Sequence, residues 1–92
     1  MVIEFLTFRV APDDQEGWRA ADERTWTRFL QMQTGFIRKE VWIDPSRADR
    51  VHVVIWWEDE KCWTSIPPAA MKAVDQAMGA WLRPSTMHRF NA

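Results

Sequence analysis

From Val2 to Val10 apolar and polar positions alternate with a period of two, with Val2, Leu6, Phe8 and Val10 on one face and Ile3 and Phe5 on the other. This is the period of a strand, because successive side chains leave an extended backbone on opposite sides. After Pro12 the period lengthens. Trp18, Ala21, Thr25, Phe29 and Met32 fall on one stripe at helical spacing, flanked by Trp26 and Leu30, which predicts an amphipathic helix. Asp13 and Glu16 stand at capping-box spacing at its start, and Thr34-Gly35 is a stop signal that ends it near Gln33.

Phe36 to Ile43 and Arg50 to Trp57 are two further strands, joined by the polar connection DPSRAD, and they read together as a hairpin. Asp59 caps a short helical turn through Ser65. Pro67-Pro68 interrupts that turn and starts a second helix, since proline suits a first turn but not an interior. Met71, Val74, Met78 and Trp81 supply its apolar stripe, and Pro84 closes it before a last strand from Ser85 to Asn91. Gly79 weakens the helix by about 1 kcal/mol relative to alanine. The order strand, helix, strand, strand, helix, strand predicts an α+β, ferredoxin-like βαββαβ fold, an antiparallel four-stranded sheet with helices on one face, within a single domain over residues 1–92.

Such a sheet has one bare face. Yet VHVVIWW at 51–57 is apolar on both alternation faces, so neither face suits water. With Leu6, Phe8, Val51, Val53, Ile55 and Trp57 turned to the helices, Phe5, Val54 and Trp56 are left on the other side, where Trp42 of the second strand joins them. An apolar patch of that size marks an interface. The expectation is a two-fold homodimer whose sheets face each other.

Composition sharpens this picture. A chain of 92 residues buries on the order of 60 to 65% of its surface, yet seven tryptophans and five phenylalanines must be placed. Each buried ring removes roughly 150 to 250 Å² from water, so most belong in the core, an interface or a pocket. The net charge is -1, with 12 basic and 13 acidic residues scattered along the chain, which argues against nucleic acid or an anionic membrane surface as partner. Cys62 is the lone cysteine, and His52 and His88 are the only histidines, so neither an intrachain disulfide nor a metal is expected. The N-terminus has no basic leader or long apolar run, so neither a signal peptide nor a membrane span is expected, and the chain reads as soluble and cytoplasmic.

Gly35 followed by FIRKEVWIDP, the polar connection, VHVVIWWEDEKCW, and an opening strand that runs into V-A-P-D resemble the antibiotic biosynthesis monooxygenase-like family of the dimeric α/β barrel superfamily, over nearly the whole chain. The resemblance implies the dimeric α/β barrel and a pocket between helices and sheet in each subunit. It implies several activities, because the superfamily holds cofactor-free quinol-forming monooxygenases, haem-degrading enzymes and uncharacterised proteins. Haem-degrading relatives use a histidine on the second long helix, an asparagine on the first strand and a tryptophan near the start of that helical segment. Here residues 67–82 contain no histidine, Gln76 stands about where that ligand would be, the first strand has no asparagine, and Ile66 rather than Trp63 falls at the tryptophan position. Haem chemistry is therefore disfavoured, and no cofactor is expected.

Cofactor-free oxygenation needs an aromatic, water-poor pocket and a group that takes a proton from a phenolic or enolisable substrate. Asp22, between Trp18 and Trp26, is one candidate base, because burial near the apolar stripe raises a carboxylate's pKa. Its plainer reading is a boundary carboxylate paired with a neighbouring arginine. His52 is the other candidate, mid-strand beside Val54 and Trp56, where it is a base or an interface residue. His88 and Glu40 are weaker candidates, and Arg38 and Glu40 read as an ion pair. Trp18, Trp26, Trp57, Phe29 and Met78 are expected to line a pocket for a small hydrophobic or aromatic molecule, although side chains of that size also fill cavities. The alternative to an enzyme is a non-enzymatic binding or stress protein that only sequesters its ligand.

Overall fold

The computed structural model describes residues Met1–Ala92. Alternation forms strands where the pattern predicts them: β1 (Val2–Arg9), β2 (Phe36–Ile43), β3 (Arg50–Trp57) and β4 (Ser85–Asn91). They make one antiparallel sheet in the order β2-β3-β1-β4. β3, apolar on both faces, lies inside the sheet between β2 and β1, and Val51, Val53, Val54, Ile55 and Trp57 are all buried. The molecule measures 36 × 28 × 17 Å, and its short axis leaves room for the sheet and one layer of helices. The fold class is the expected one.

Between β1 and β2 the chain forms a tight turn at Pro12–Asp14, then α1 (Gln15–Asp22), a π-turn at Glu23–Thr27 and α2 (Arg28–Gln31). Between β3 and β4 lie α3 (Glu60–Thr64) and α4 (Pro68–Met78), followed by a tight turn at Gly79–Trp81. Asp59 caps α3 by accepting the Cys62 amide at 2.8 Å, and Pro68 opens α4.

Two helical expectations are corrected. No Asp13–Glu16 capping box forms: Asp13 lies within the tight turn and no side chain caps α1. Instead Gln15 Nε2 donates to the Val10 and Ala48 carbonyl oxygens, at 3.1 and 2.5 Å, tying the entry of the helix to the end of the hairpin. Met32 is not on the buried stripe but 77% exposed. The π-turn admits one extra residue, which rotates everything after it by about 100° relative to an uninterrupted helix. Thr27 and Leu30 are therefore buried while Phe29 is only partly so, and the helix ends at Gln31, two residues early.

Two glycines are fixed by close approach. Gly35 has φ 81°, and a Cβ there would stand 2.4 Å from Cys62 Sγ. A Cβ on Gly17 would stand 2.2 Å from the Trp81 ring. The core on the helix side is built on Trp18, packed on Phe8 with ring centroids 4.8 Å apart, and on Trp57, packed on Phe36 at 6.0 Å.

No helix covers the opposite face. Phe5, Trp42, Trp56 and Phe90 form a connected aromatic layer there, with centroid distances of 6.2 Å for Phe5–Trp42, 6.4 Å for Trp42–Trp56 and 6.3 Å for Phe5–Phe90. Val54 belongs to this face but is only 2% exposed, so it floors the layer instead of presenting a surface. It pairs directly with Phe5 and Glu40 on the flanking strands, and the larger side chains of this face close over it.

Candidate functional site

A cavity of about 390 Å³ lies between the sheet and the helices. Its floor is the inward face of β1 and β3: Leu6, Phe8, Val53, Ile55 and Trp57. Trp26 and Leu30 wall it from the first helical segment, and Trp63, Ile66 and Met71 from the second. The tryptophans do not fill it, and the sheet carries polar side chains in mid-floor. Glu4, Ile55 and Lys39 pair as neighbours across β1, β3 and β2, so a carboxylate and an ammonium flank one isoleucine.

Lys39 reaches inward because β2 is irregular between Phe36 and Arg38. A strict alternation from Phe36 would aim Arg38, Glu40 and Trp42 at the helices. The bulge resets the pleat, so Phe36 and Lys39 both face inward while Arg38, Glu40 and Trp42 turn to the bare face. The Lys39 ammonium donates to Asp22 Oδ2 at 2.5 Å and to Thr27 Oγ1 at 2.7 Å. Both charged side chains are almost wholly buried, at 5% and 6% exposure. Burial pushes the Asp22 pKa above the ordinary carboxylate value, with Lys39 working against that rise. The partner of Asp22 is thus the lysine across the cavity rather than an arginine.

Glu4 is the second carboxylate. Burial raises its pKa as well, opposed by hydrogen bonds from Trp57 and Trp63, and Trp57 Nε1 donates to Glu4 Oε1 at 3.3 Å. Arg89 pairs with Glu4 in the β1–β4 register, yet its guanidinium turns away to Glu60 at 2.7 Å and stacks over Trp63 at 5.0 Å. Glu4 therefore faces the cavity without a cationic partner. Asp75 and Arg83 complete the polar lining; Trp26 Nε1 donates to Asp75 Oδ1 at 3.0 Å, and Arg83 reaches Asp14 at 3.5 Å.

Of the residues singled out in the sequence, Asp22, Trp26 and Trp57 line the cavity. Trp18, Phe29 and Met78 stand outside its lining. Trp18 is fully buried against Phe8, Phe29 packs on Trp26, and Met78 Sδ accepts from Thr25 Oγ1 at 3.1 Å. His52 lies on the bare face, where it stacks on Phe5 at 5.2 Å, shares a hydrogen bond with Thr7 Oγ1 at 3.0 Å and stands 3.7 Å from Asp44. The sheet separates it from Asp22, so the two candidates do not form one constellation within a subunit. Phe5, Trp42 and Trp56 share that bare face, with Arg38 over Trp56 at 4.0 Å and bonded to Glu40 at 3.2 Å.

The sequence reading passed over Glu4, Lys39, Asp75 and Arg83. Glu4 had a signal: it stands between Val2 and Leu6 on the inward alternation of β1, where a charge is out of place. Lys39 had one as well: with Trp42 on the bare face, alternation puts Lys39 and Val41 on the other. No three histidine, cysteine, aspartate or glutamate side chains converge as metal ligands, and no helix is long and apolar enough to cross a membrane.

No protein-family model matches the chain and no curated protein does either. Solved structures do match. SnoaB, a cofactor-independent oxygenase from Streptomyces nogalater, is 21% identical with a TM-score of 0.76, over 99% of this chain and 91% of that one. A monooxygenase from the ActVA-Orf6 gene of Streptomyces coelicolor, solved with the ligand nanaomycin D, is 13% identical with a TM-score of 0.81, over 99% and 86%. A Bordetella bronchiseptica protein named for antibiotic biosynthesis monooxygenase activity is 14% identical with a TM-score of 0.81, over 99% and 95%. The chain has the fold of these proteins, which is the fold that the resemblance in its sequence implied.

Proposed function

We propose that this chain is an antibiotic biosynthesis monooxygenase-like enzyme, a cofactor-independent oxygenase that acts on a small aromatic hydroxy compound. The observation that carries the reading is the buried Asp22–Lys39 pair on the wall of an aromatic cavity. A carboxylate whose pKa is raised by burial takes a phenolic proton more readily near neutrality than a solvated one does. The phenolate so formed lies against the Lys39 ammonium, which stabilises its charge where water is excluded.

Electrons then pass from the phenolate through a ring carbon to dioxygen, and a carbon–oxygen bond forms at that carbon. The resulting hydroperoxide loses the hydrogen of the same carbon as a proton while its oxygen–oxygen bond breaks. One oxygen stays as a carbonyl and the other leaves as water, so a phenol and dioxygen give a quinone and water. Trp26 and Trp63 provide walls along which a flat ring stacks.

The structural neighbours support this reading, one being a cofactor-independent oxygenase and another a monooxygenase solved with nanaomycin D. The working unit in this reading is a cytoplasmic homodimer closed across the bare aromatic face. Oxygen uptake with a panel of phenols, naphthols and quinols, without added flavin or metal, is the test. The expected result is uptake matched mole for mole by quinone formation, and no uptake above buffer across the panel overturns the proposal.

A further inference from the structure

Glu4 is left over by this chemistry. It faces the same cavity from the far side of Ile55, and it lies with Ile55 and Lys39 in a single row across three strands. Adjacent strands stand about 4.8 Å apart, which separates the Glu4 and Lys39 backbones by about 10 Å. A carboxylate offers roughly four lone-pair positions. Trp57 Nε1, at a long 3.3 Å, and the neighbouring Trp63 occupy only part of that capacity. Arg89, the cation best placed in register to neutralise Glu4, is held instead by Glu60. A half-buried acceptor kept free of its counter-ion and aimed into a cavity carries a desolvation cost that the fold alone does not offset. It is satisfied when the ligand brings a donor.

We infer that Glu4 is a specificity-determining residue that accepts a hydrogen bond from a second hydroxyl of the ligand, at the edge of the ring system opposite the hydroxyl handled by Asp22 and Lys39. The ligand class is thus narrowed from a monohydroxylated aromatic to one with hydrogen-bond donors on two opposite edges. This rests on the cavity being the substrate site of the proposed oxygenase. Glu4 does no chemistry in it. It sets which ring system binds and which edge faces Asp22.

Equilibrium binding followed by tryptophan fluorescence tests this, with two probes: a naphthol, and a dihydroxynaphthalene whose hydroxyls lie on opposite rings. Wild-type protein should bind the dihydroxy probe about tenfold more tightly or better, the size expected for a hydrogen bond to a charged group. Glu4→Met should abolish that preference and leave affinity for the naphthol within about threefold, since a methylthio group of similar size replaces the carboxylate on the same two-carbon stem. Glu4→Gln guards against a misfolded methionine variant: it keeps a neutral acceptor, so a reduced preference should remain but no longer weaken as pH falls. Equal affinity of the wild type for both probes, or a preference retained in Glu4→Met, overturns the inference. Oxygen uptake measured in parallel separates the two claims, because uptake without Glu4-dependent selection removes this inference alone, whereas Glu4-dependent selection without uptake removes the oxygenase.

Discussion

Lys39 and Asp22 show what a buried ion pair does and does not contribute. Removing both charges from water costs about as much as their attraction returns, so the pair adds little net stability, whereas deleting one partner strands the other at a cost of about 3 to 5 kcal/mol. Asp22→Asn is therefore expected to lower oxygenase activity by about two to four orders of magnitude and also to lower the urea midpoint. The double substitution Asp22→Leu with Lys39→Met separates these effects: urea unfolding should return to within about 1 kcal/mol of wild type while oxygen uptake stays lost. Glu4 gives a pH signature of definite sign. Its folded pKa is raised above 4.5, so as pH rises past that value the unfolded chain releases its proton first, and stability declines until the folded carboxyl has ionised too. Glu4→Gln should remove its part of that decline, making the variant more stable than wild type at neutral pH by urea titration, with the gain shrinking as pH falls towards 4.5.

At the scale of elements, the π-turn at Glu23–Thr27 and the bulge in β2 are the two irregularities, and both aim side chains at the cavity. The π-turn includes Trp26, whose indole reaches across to Asp75 on α4. α4 packs against this turn, so the Trp26–Asp75 hydrogen bond helps hold the helix over the cavity. Asp75→Ala should cost no more than about 1 kcal/mol in global stability, but it should speed amide hydrogen exchange in residues 68–78 well beyond that of the sheet. The Gly35 turn behaves differently, because both its φ of 81° and the nearby Cys62 exclude a Cβ. Gly35→Ala is expected to destabilise by at least about 1 to 2 kcal/mol, read as a lower urea midpoint.

For the whole molecule, the decisive asymmetry is between the two sheet faces. One is covered by helices, and the other presents Trp42 at 44% exposure and Phe90 at 49%, beside Phe5 and Trp56. Rings of this size left in water forfeit much of what their burial would contribute, at about 25 cal/mol per Å². The expected assembly is a two-fold dimer across this face. Light scattering at micromolar concentration should give twice the chain mass for the wild type and a monomer for Trp42→Glu, whose charge would be buried beside the like charge of Glu40 in such an interface. A monomeric wild type would refute the assembly.

The sequence alone determined the strands, the element order and which face of β3 meets the helices, because alternation and proline or glycine punctuation are local and each acts within a few residues. It also singled out Asp22, Trp26 and Trp57, all three of which line the cavity. Only the tertiary structure decided that Lys39 is the partner of Asp22, that Glu4 lacks one, and that Trp18, Phe29 and Met78 stand outside the cavity lining. The reason is physical. A bulge in β2 and an extra residue in the helix each reset which side chains point inward, and pairing across strands joins residues that are far apart in the chain. Such pairing leaves no trace in the periodicity from which the elements were read.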